Sequence, residues 1–89
     1  MKIEFDKSFY KCLDKFTDST LNKKIEQTIA EFDKAETLAD VRRIKKLVGF
    51  QNYYRVRLGD YRLGLELNEP TTIRFIAIAH RKDIYRIFP

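Results

Sequence analysis

Tyr53-Tyr54-Arg55-Val56-Arg57-Leu58-Gly59-Asp60-Tyr61-Arg62-Leu63-Gly64-Leu65-Glu66-Leu67 decides how this chain folds. Apolar and polar side chains alternate on both sides of Gly59-Asp60, which is the pattern of two half-buried strands joined by a tight turn. Tyr54, Val56 and Leu58 face one way, while Tyr53, Arg55 and Arg57 face the other. On the return strand Tyr61, Leu63, Leu65 and Leu67 share one face, and Arg62, Gly64 and Glu66 the opposite one. The hairpin therefore has an apolar side and an arginine-bearing side.

Downstream, Asn68-Glu69-Pro70 marks a turn, and Ile73 to Ala79 is apolar at every position but Arg74, as a central strand should be. Upstream, the period changes from two to that of helices. Phe9, Leu13 and Phe16 recur at steps of four and three behind a cap at Asp6 or Ser8. Leu21, Ile25, Ile29 and Phe32 do the same behind Asp18 and Ser19. Lys2 to Asp6 reads as a short strand with Ile3 and Phe5 inward. Val41, Ile44, Leu47 and Val48 predict a further short helical or irregular stretch ended by Gly49. The sum is an α+β fold in the order β-α-α-β-β-β with a short C-terminal segment. Its antiparallel sheet is covered on one face by two helices, and residues 1–89 make a single domain.

Charge is unevenly distributed within a net of +5. Residues 1–40 hold 7 Lys against 9 acids, a net of −2, whereas residues 41–89 hold 11 Lys and Arg against 4 acids, a net of +7. All eight arginines lie from Arg42 onward. Guanidinium groups match phosphate and carboxylate oxygens in planar pairs, so the second half is where a polyanion or an acidic protein would dock. The lone Cys12 leaves no internal disulfide and no cysteine-based metal site, and packs as a small hydrophobe. No signal-peptide core and no membrane-length apolar run is present, which predicts a cytoplasmic protein with no membrane association. Neither a metal nor a cofactor is expected.

The chemistry-bearing residues cluster in the hairpin and in His80-Arg81-Lys82-Asp83-Ile84-Tyr85-Arg86-Ile87-Phe88-Pro89. RNA is cleaved without a cofactor when a ribose 2′-OH attacks the adjacent phosphate, provided that the chain is aligned, the extra charge neutralised and two protons moved. Arg55, Arg57, Arg62 and Arg81 suit the charge. His80 is either a proton acceptor or a hydrogen-bonded structural residue, and Tyr85 either moves a proton or stacks on a base. Tyr53, Tyr54 and Tyr61 are core edges or stacking platforms. Arg42, Arg43, Lys45, Lys46, Arg74 and Lys82 are candidates for steering a polyanion such as RNA, or for covering a helix face in the case of the two basic pairs, and Asp83 for capping a tail helix or orienting Arg81.

Lys46-Leu47-Val48-Gly49, Tyr54-Arg55-Val56-Arg57-Leu58, Tyr61-Arg62-Leu63 and His80-Arg81-Lys82-Asp83-Ile84-Tyr85 resemble the RelE/ParE toxin superfamily, specifically its RelE branch. The likeness spans the whole chain, and its specific part is the second half. It implies a toxin of a type II toxin–antitoxin pair that cuts messenger RNA in the ribosomal A site and halts translation. It also implies an acidic, RelB-like or other type II antitoxin that silences the toxin in a hetero-oligomeric, operator-binding complex. Carried over, the family's basic pair falls on Arg55 and Arg57, its arginine after the turn on Arg62, its last-strand arginine on Arg81 and its tail tyrosine on Tyr85. The implied roles are phosphate positioning and charge stabilisation for the arginines, and stacking or proton transfer for Tyr85. RelE-type chains often carry lysine where this one has Arg55 and Arg57, and arginine is a poor base at neutral pH. His80 is then expected to accept the proton. The stop at Pro89 leaves little room for a long C-terminal helix. Two alternatives are a ParE-like inhibitor of DNA gyrase without nuclease activity and an inactive homologue that retains antitoxin binding.

Overall fold

The alternation around Gly59 builds the hairpin that organises the molecule. In the computed structural model, which describes residues 1–16 and 18–89, strand β3 (Tyr53–Leu58) runs antiparallel to β4 (Tyr61–Glu69). Val56 stands opposite Leu63, and Arg57 opposite Arg62. Gly59 takes φ +63° at the turn, a conformation that costs a residue with a Cβ. Strand β5 (Thr72–His80) pairs antiparallel with β4, and β1 (Lys2–Phe5) pairs parallel with β5. At the far edge β2 (Ile44–Lys46) pairs antiparallel with β3, so the sheet order is β1-β5-β4-β3-β2.

Helices α1 (Lys7–Leu13) and α2 (Ser19–Lys34) are capped by Asp6 and Asp18, whose carboxylates accept from the Ser8 and the Thr20 and Leu21 backbone N–H groups. Their apolar stripes meet the sheet at Phe75, whose ring lies 5.2 Å from Phe5, 5.5 Å from Phe9 and 5.5 Å from Phe32. These edge-to-face contacts add about 0.5–1.5 kcal/mol each to the burial itself. The row Ile44, Val56, Leu63, Ile78 runs across four strands on the same side. Cys12 is buried in α1.

The opposite face of the sheet is narrower and is built for a different cover. Gly64 and Ala77 are register partners there, with Ala79 one step further along β5. The short helix α3 (Ile84–Ile87) crosses them, leaving Ile84 and the following Phe88 almost without solvent contact. A Cβ on Gly64 would come within 2.6–2.8 Å of the Phe88 ring, so only glycine admits that ring at its present depth.

Three sequence expectations are corrected. The sheet is mixed and not purely antiparallel, because β1, the first strand of the chain, lies at the edge parallel to β5, the last, with both helices and strands β2 to β4 between them in sequence. Residues 41–48 are not helical: a single 3₁₀ turn, Leu38–Asp40, precedes them, Arg43 adopts φ 63°, and Ile44–Lys46 forms the edge strand. Asp83 occupies the N-cap of α3 without a capping side-chain hydrogen bond, and its ion-pair partner is Arg86 at 3.8 Å, not Arg81. No helix among the described residues is long and apolar enough to cross a membrane.

Candidate nucleic-acid site

Strand pairing places Arg57 directly opposite Arg62, with Lys45 opposite Arg55 one step away on the same face. Like charges set across from each other destabilise a sheet. Nothing nearby relieves them: the only arginine ion pairs among the described residues belong to Arg74 and Arg86. Such an array is tolerated where an anion is meant to arrive.

Arg62 is the best anchored member. Its Nη1 donates to the Gly59 carbonyl at 2.8 Å and to the Tyr61 carbonyl at 2.9 Å, which fixes the guanidinium plane and leaves the other donors free. Partial burial, then the fields of Arg55 and Arg57, and to a smaller extent that of Arg81, hold its pKa below the ordinary guanidinium value, while Tyr85 acts in the opposite sense. These five side chains therefore share one field. The Arg81 backbone N–H donates to the Asp60 carbonyl at 2.7 Å, pinning the start of the tail against the hairpin turn. The seating of Ile84 and Phe88 then presents Tyr85 between them, 59% exposed.

His80 does not join this cluster. It pairs in register with Tyr61, on the face that carries Leu63 and Leu65 and is covered by the helices. Its ring lies 5.7 Å from that of Tyr61, which in turn packs edge-on against Phe16 at 5.2 Å. Its Nδ1 accepts the Lys82 backbone N–H at 3.2 Å. Strand alternation turns His80 away from the face that carries Arg62, and the structure holds it at a strand end between Tyr61 and the tail instead of bringing it to the arginine row.

Arg74 is also elsewhere. Glu66, its register partner, lies four residues from Arg62 on β4, about 13 Å at the usual strand rise. Its Nη2 donates to Asp6 at 2.7 Å, and its Nη1 is 3.5 Å from Glu4. It ties β1 to β5, its guanidinium engaged by two carboxylates. Asp6 is held well below the usual carboxylate range, first by the Ser8 hydroxyl and then by Arg74.

Lys45, Lys46, Arg55 and Tyr85 line a groove of about 560 Å³ beside the arginine row. Arg42 and Arg43 instead border a small cleft against α2, but the Arg43 carbonyl accepts the Arg57 backbone N–H at 3.3 Å and Arg55 Nη1 at 3.5 Å. Lys82 is exposed on the tail. Sequence reasoning missed Gly64, Ile84 and Phe88, which seat Tyr85; the signal was a run of small residues, Gly64, Ala77 and Ala79, facing an apolar pair spaced by four. Among the described residues no three His, Cys, Asp or Glu side chains stand close enough to hold a metal ion.

Comparison with known proteins gives a consistent result. A family model described as the ParE toxin of the type II toxin-antitoxin system, parDE, matches residues 3–85. The chain is 43% identical over 90 residues to Toxin RelE3 of Methanocaldococcus jannaschii, with both chains covered in full. It superimposes with a TM-score of 0.81 and 41% identity on a chain of the RelB-RelE antitoxin-toxin complex from Methanococcus jannaschii, covering 97% of this chain and 99% of that one. A chain of the archaeal RelE-RelB complex from Pyrococcus horikoshii OT3 shares the fold at a TM-score of 0.72 and 20% identity, over 93% and 97% of the two chains.

Proposed function

We propose, because this chain belongs to the ParE toxin family of type II toxin–antitoxin systems and to its RelE-type branch, that it cleaves messenger RNA in the ribosomal A site. One observation supports this reading: Arg57 and Arg62 stand opposite each other, share one field with Arg81 and an exposed Tyr85, and among the described residues none of the three arginines forms an ion pair.

The ribose 2′-OH gives its proton to solvent water as O2′ attacks phosphorus in line and the bond to O5′ breaks, giving a 2′,3′-cyclic phosphate and, once O5′ takes up a proton, a 5′-hydroxyl. Arg57 and Arg81 grip the non-bridging oxygens. Arg62, whose plane is set by two backbone carbonyls, meets the charge that grows on them in the phosphorane, where fixed donors contribute most. Tyr85 lies at the edge of this row, able to pass a proton to the departing O5′ or to hold the neighbouring base. No metal enters these steps. The ribosome supplies alignment, worth far more than any one side chain. The partner that silences the site is a cognate antitoxin whose acidic segment covers the arginine row.

Mapping messenger RNA 5′ ends in a translating extract tests the reading. Cuts inside A-site codons, present only with ribosomes and reduced roughly 10²–10³-fold by Arg81→Ala, are expected for loss of one charge-stabilising donor. The match to a ParE family model favours one other reading, in which the same row binds DNA gyrase without chemistry. Intact message together with inhibited supercoiling would establish that reading instead.

A further inference from the structure

We propose that Arg43 is a positioning residue for the arginine row and acts through its main chain: held in the left-handed conformation, its carbonyl fixes Arg57 and Arg55, while its own charge takes no part. The proposal rests on the nuclease reading and gives Arg43 a role other than steering a polyanion.

Among the described residues Arg43 is the one non-glycine residue with a positive φ, 63°. That conformation crowds Cβ against the following carbonyl, and it persists only where the surroundings fix the chain on both sides. Three contacts fix it here. Val41 is buried in the core, the Arg42 backbone N–H donates to the Glu31 carboxylate of α2 at 3.2 Å, and Ile44 stands in register with Val56. The chain has to pass from the anchor on α2 into the edge strand within two residues, and the left-handed turn at Arg43 makes that passage.

What the turn delivers is an acceptor oxygen. The Arg43 carbonyl takes the Arg57 backbone N–H at 3.3 Å, which extends the pairing of β2 with β3 by one residue, and it takes Arg55 Nη1 at 3.5 Å. Among the described residues it is the one hydrogen-bond acceptor of the Arg55 side chain. Lys45 faces Arg55 and Arg57 faces Arg62, so like charges push this end of the sheet apart. A fixed carbonyl that holds one guanidinium and the backbone of the next keeps the row in place against that repulsion. Arg43 itself is exposed and borders the cleft against α2, beside Lys24 and Glu31.

The test compares Arg43→Gly, Arg43→Asn and Arg43→Val, which all lose the charge but differ in how readily they take a positive φ, with Arg43→Lys, which keeps it. Two measurements are made on the full chain: single-turnover cleavage on stalled ribosomes over a range of toxin concentrations, and amide hydrogen exchange at Arg57 in the isolated protein. The saturated rate should fall in the order Arg43→Gly, Arg43→Asn, Arg43→Val, by roughly 5- to 30-fold from first to last, at an unchanged half-saturating concentration. Exchange at Arg57 should quicken in the same order while the amides of β5 keep their protection. Should Arg43→Val fail to fold by circular dichroism, Arg43→Ala takes its place in the series. Equal rates for the uncharged variants overturn the proposal. So does a common rise in half-saturating concentration that Arg43→Lys alone escapes, which would make the side chain an RNA contact. Exchange that quickens in β5 as much as at Arg57 also overturns it, since the residue would then serve only the fold. A wild type that cuts nothing while Arg57 exchange keeps the predicted order sinks the nuclease reading and leaves the carbonyl's hold standing, whereas a wild type that cuts with no order among the variants does the reverse.

Discussion

His80 and Arg81 are neighbours in sequence and belong to different parts of the molecule. Period-two alternation was legible from Tyr53 onward, but its consequence for His80 depends on register, and register cannot be read from a strand that is apolar on both faces. With His80 beside Tyr61, His80→Ala should leave A-site cleavage within about an order of magnitude of wild type, under about 1.4 kcal/mol at the transition state. Single-turnover cleavage rates on stalled ribosomes measure this. Arg74 carries a similar lesson: its composition suited RNA, and its partners Asp6 and Glu4, nearly seventy residues away, were invisible without the parallel pairing of β1 and β5. Because Asp6 titrates below its unfolded value near 3.9, it contributes stability that is complete above that pH and is lost as pH falls through and below it. Urea midpoints at pH 7 and pH 3 should therefore differ more for wild type than for Asp6→Asn, and equal differences would contradict that role.

Among the elements, the hairpin and both helices were readable because each keeps its period over several turns or pleats, and Asp6 and Asp18 mark the helix starts. Strand β2 was not. Three residues, Ile44, Lys45 and Lys46, fit an edge strand, a helix end or a loop equally, and the left-handed Arg43 that ends helical continuation carries no sequence mark. The tail was picked out as a candidate site, but what seats it was not legible, because the fit of Phe88 over Gly64 joins residues 24 positions apart. Phe88→Ala should cost about 3–5 kcal/mol of stability, as for other buried phenylalanines, and reduce cleavage by freeing Tyr85. Gly64→Ala should act in the same direction by lifting the ring, while Phe88→Leu keeps much of both. Chemical denaturation beside cleavage assays distinguishes a loosened tail from a lost fold: α1, α2 and β1 meet at Phe75 on the other face of the sheet from Phe88, so the loss of activity should exceed the loss of structure.

For the whole molecule, the split between an acidic first half and a basic second half was plain in composition, and it becomes a division of labour in space. The helices of residues 7–34 cover one side of the sheet, and the arginines of the hairpin and tail gather on the other. Binding of single-stranded RNA should weaken linearly on a log–log plot against salt, with a slope of about −0.7 for each phosphate engaged. Arg57→Ala should flatten that slope by about one contact, and Arg74→Ala should leave it unchanged, which anisotropy titrations over a salt series would read directly. The central claim is that the arginine face, and not the histidine beside it, performs the chemistry. It is tested most directly by mapping messenger RNA 5′ ends in one translating extract supplied with wild type, Arg81→Ala or His80→Ala protein. Cuts in A-site codons by wild type and His80→Ala, absent with Arg81→Ala, are the predicted result; cutting that survives Arg81→Ala and disappears with His80→Ala would contradict it.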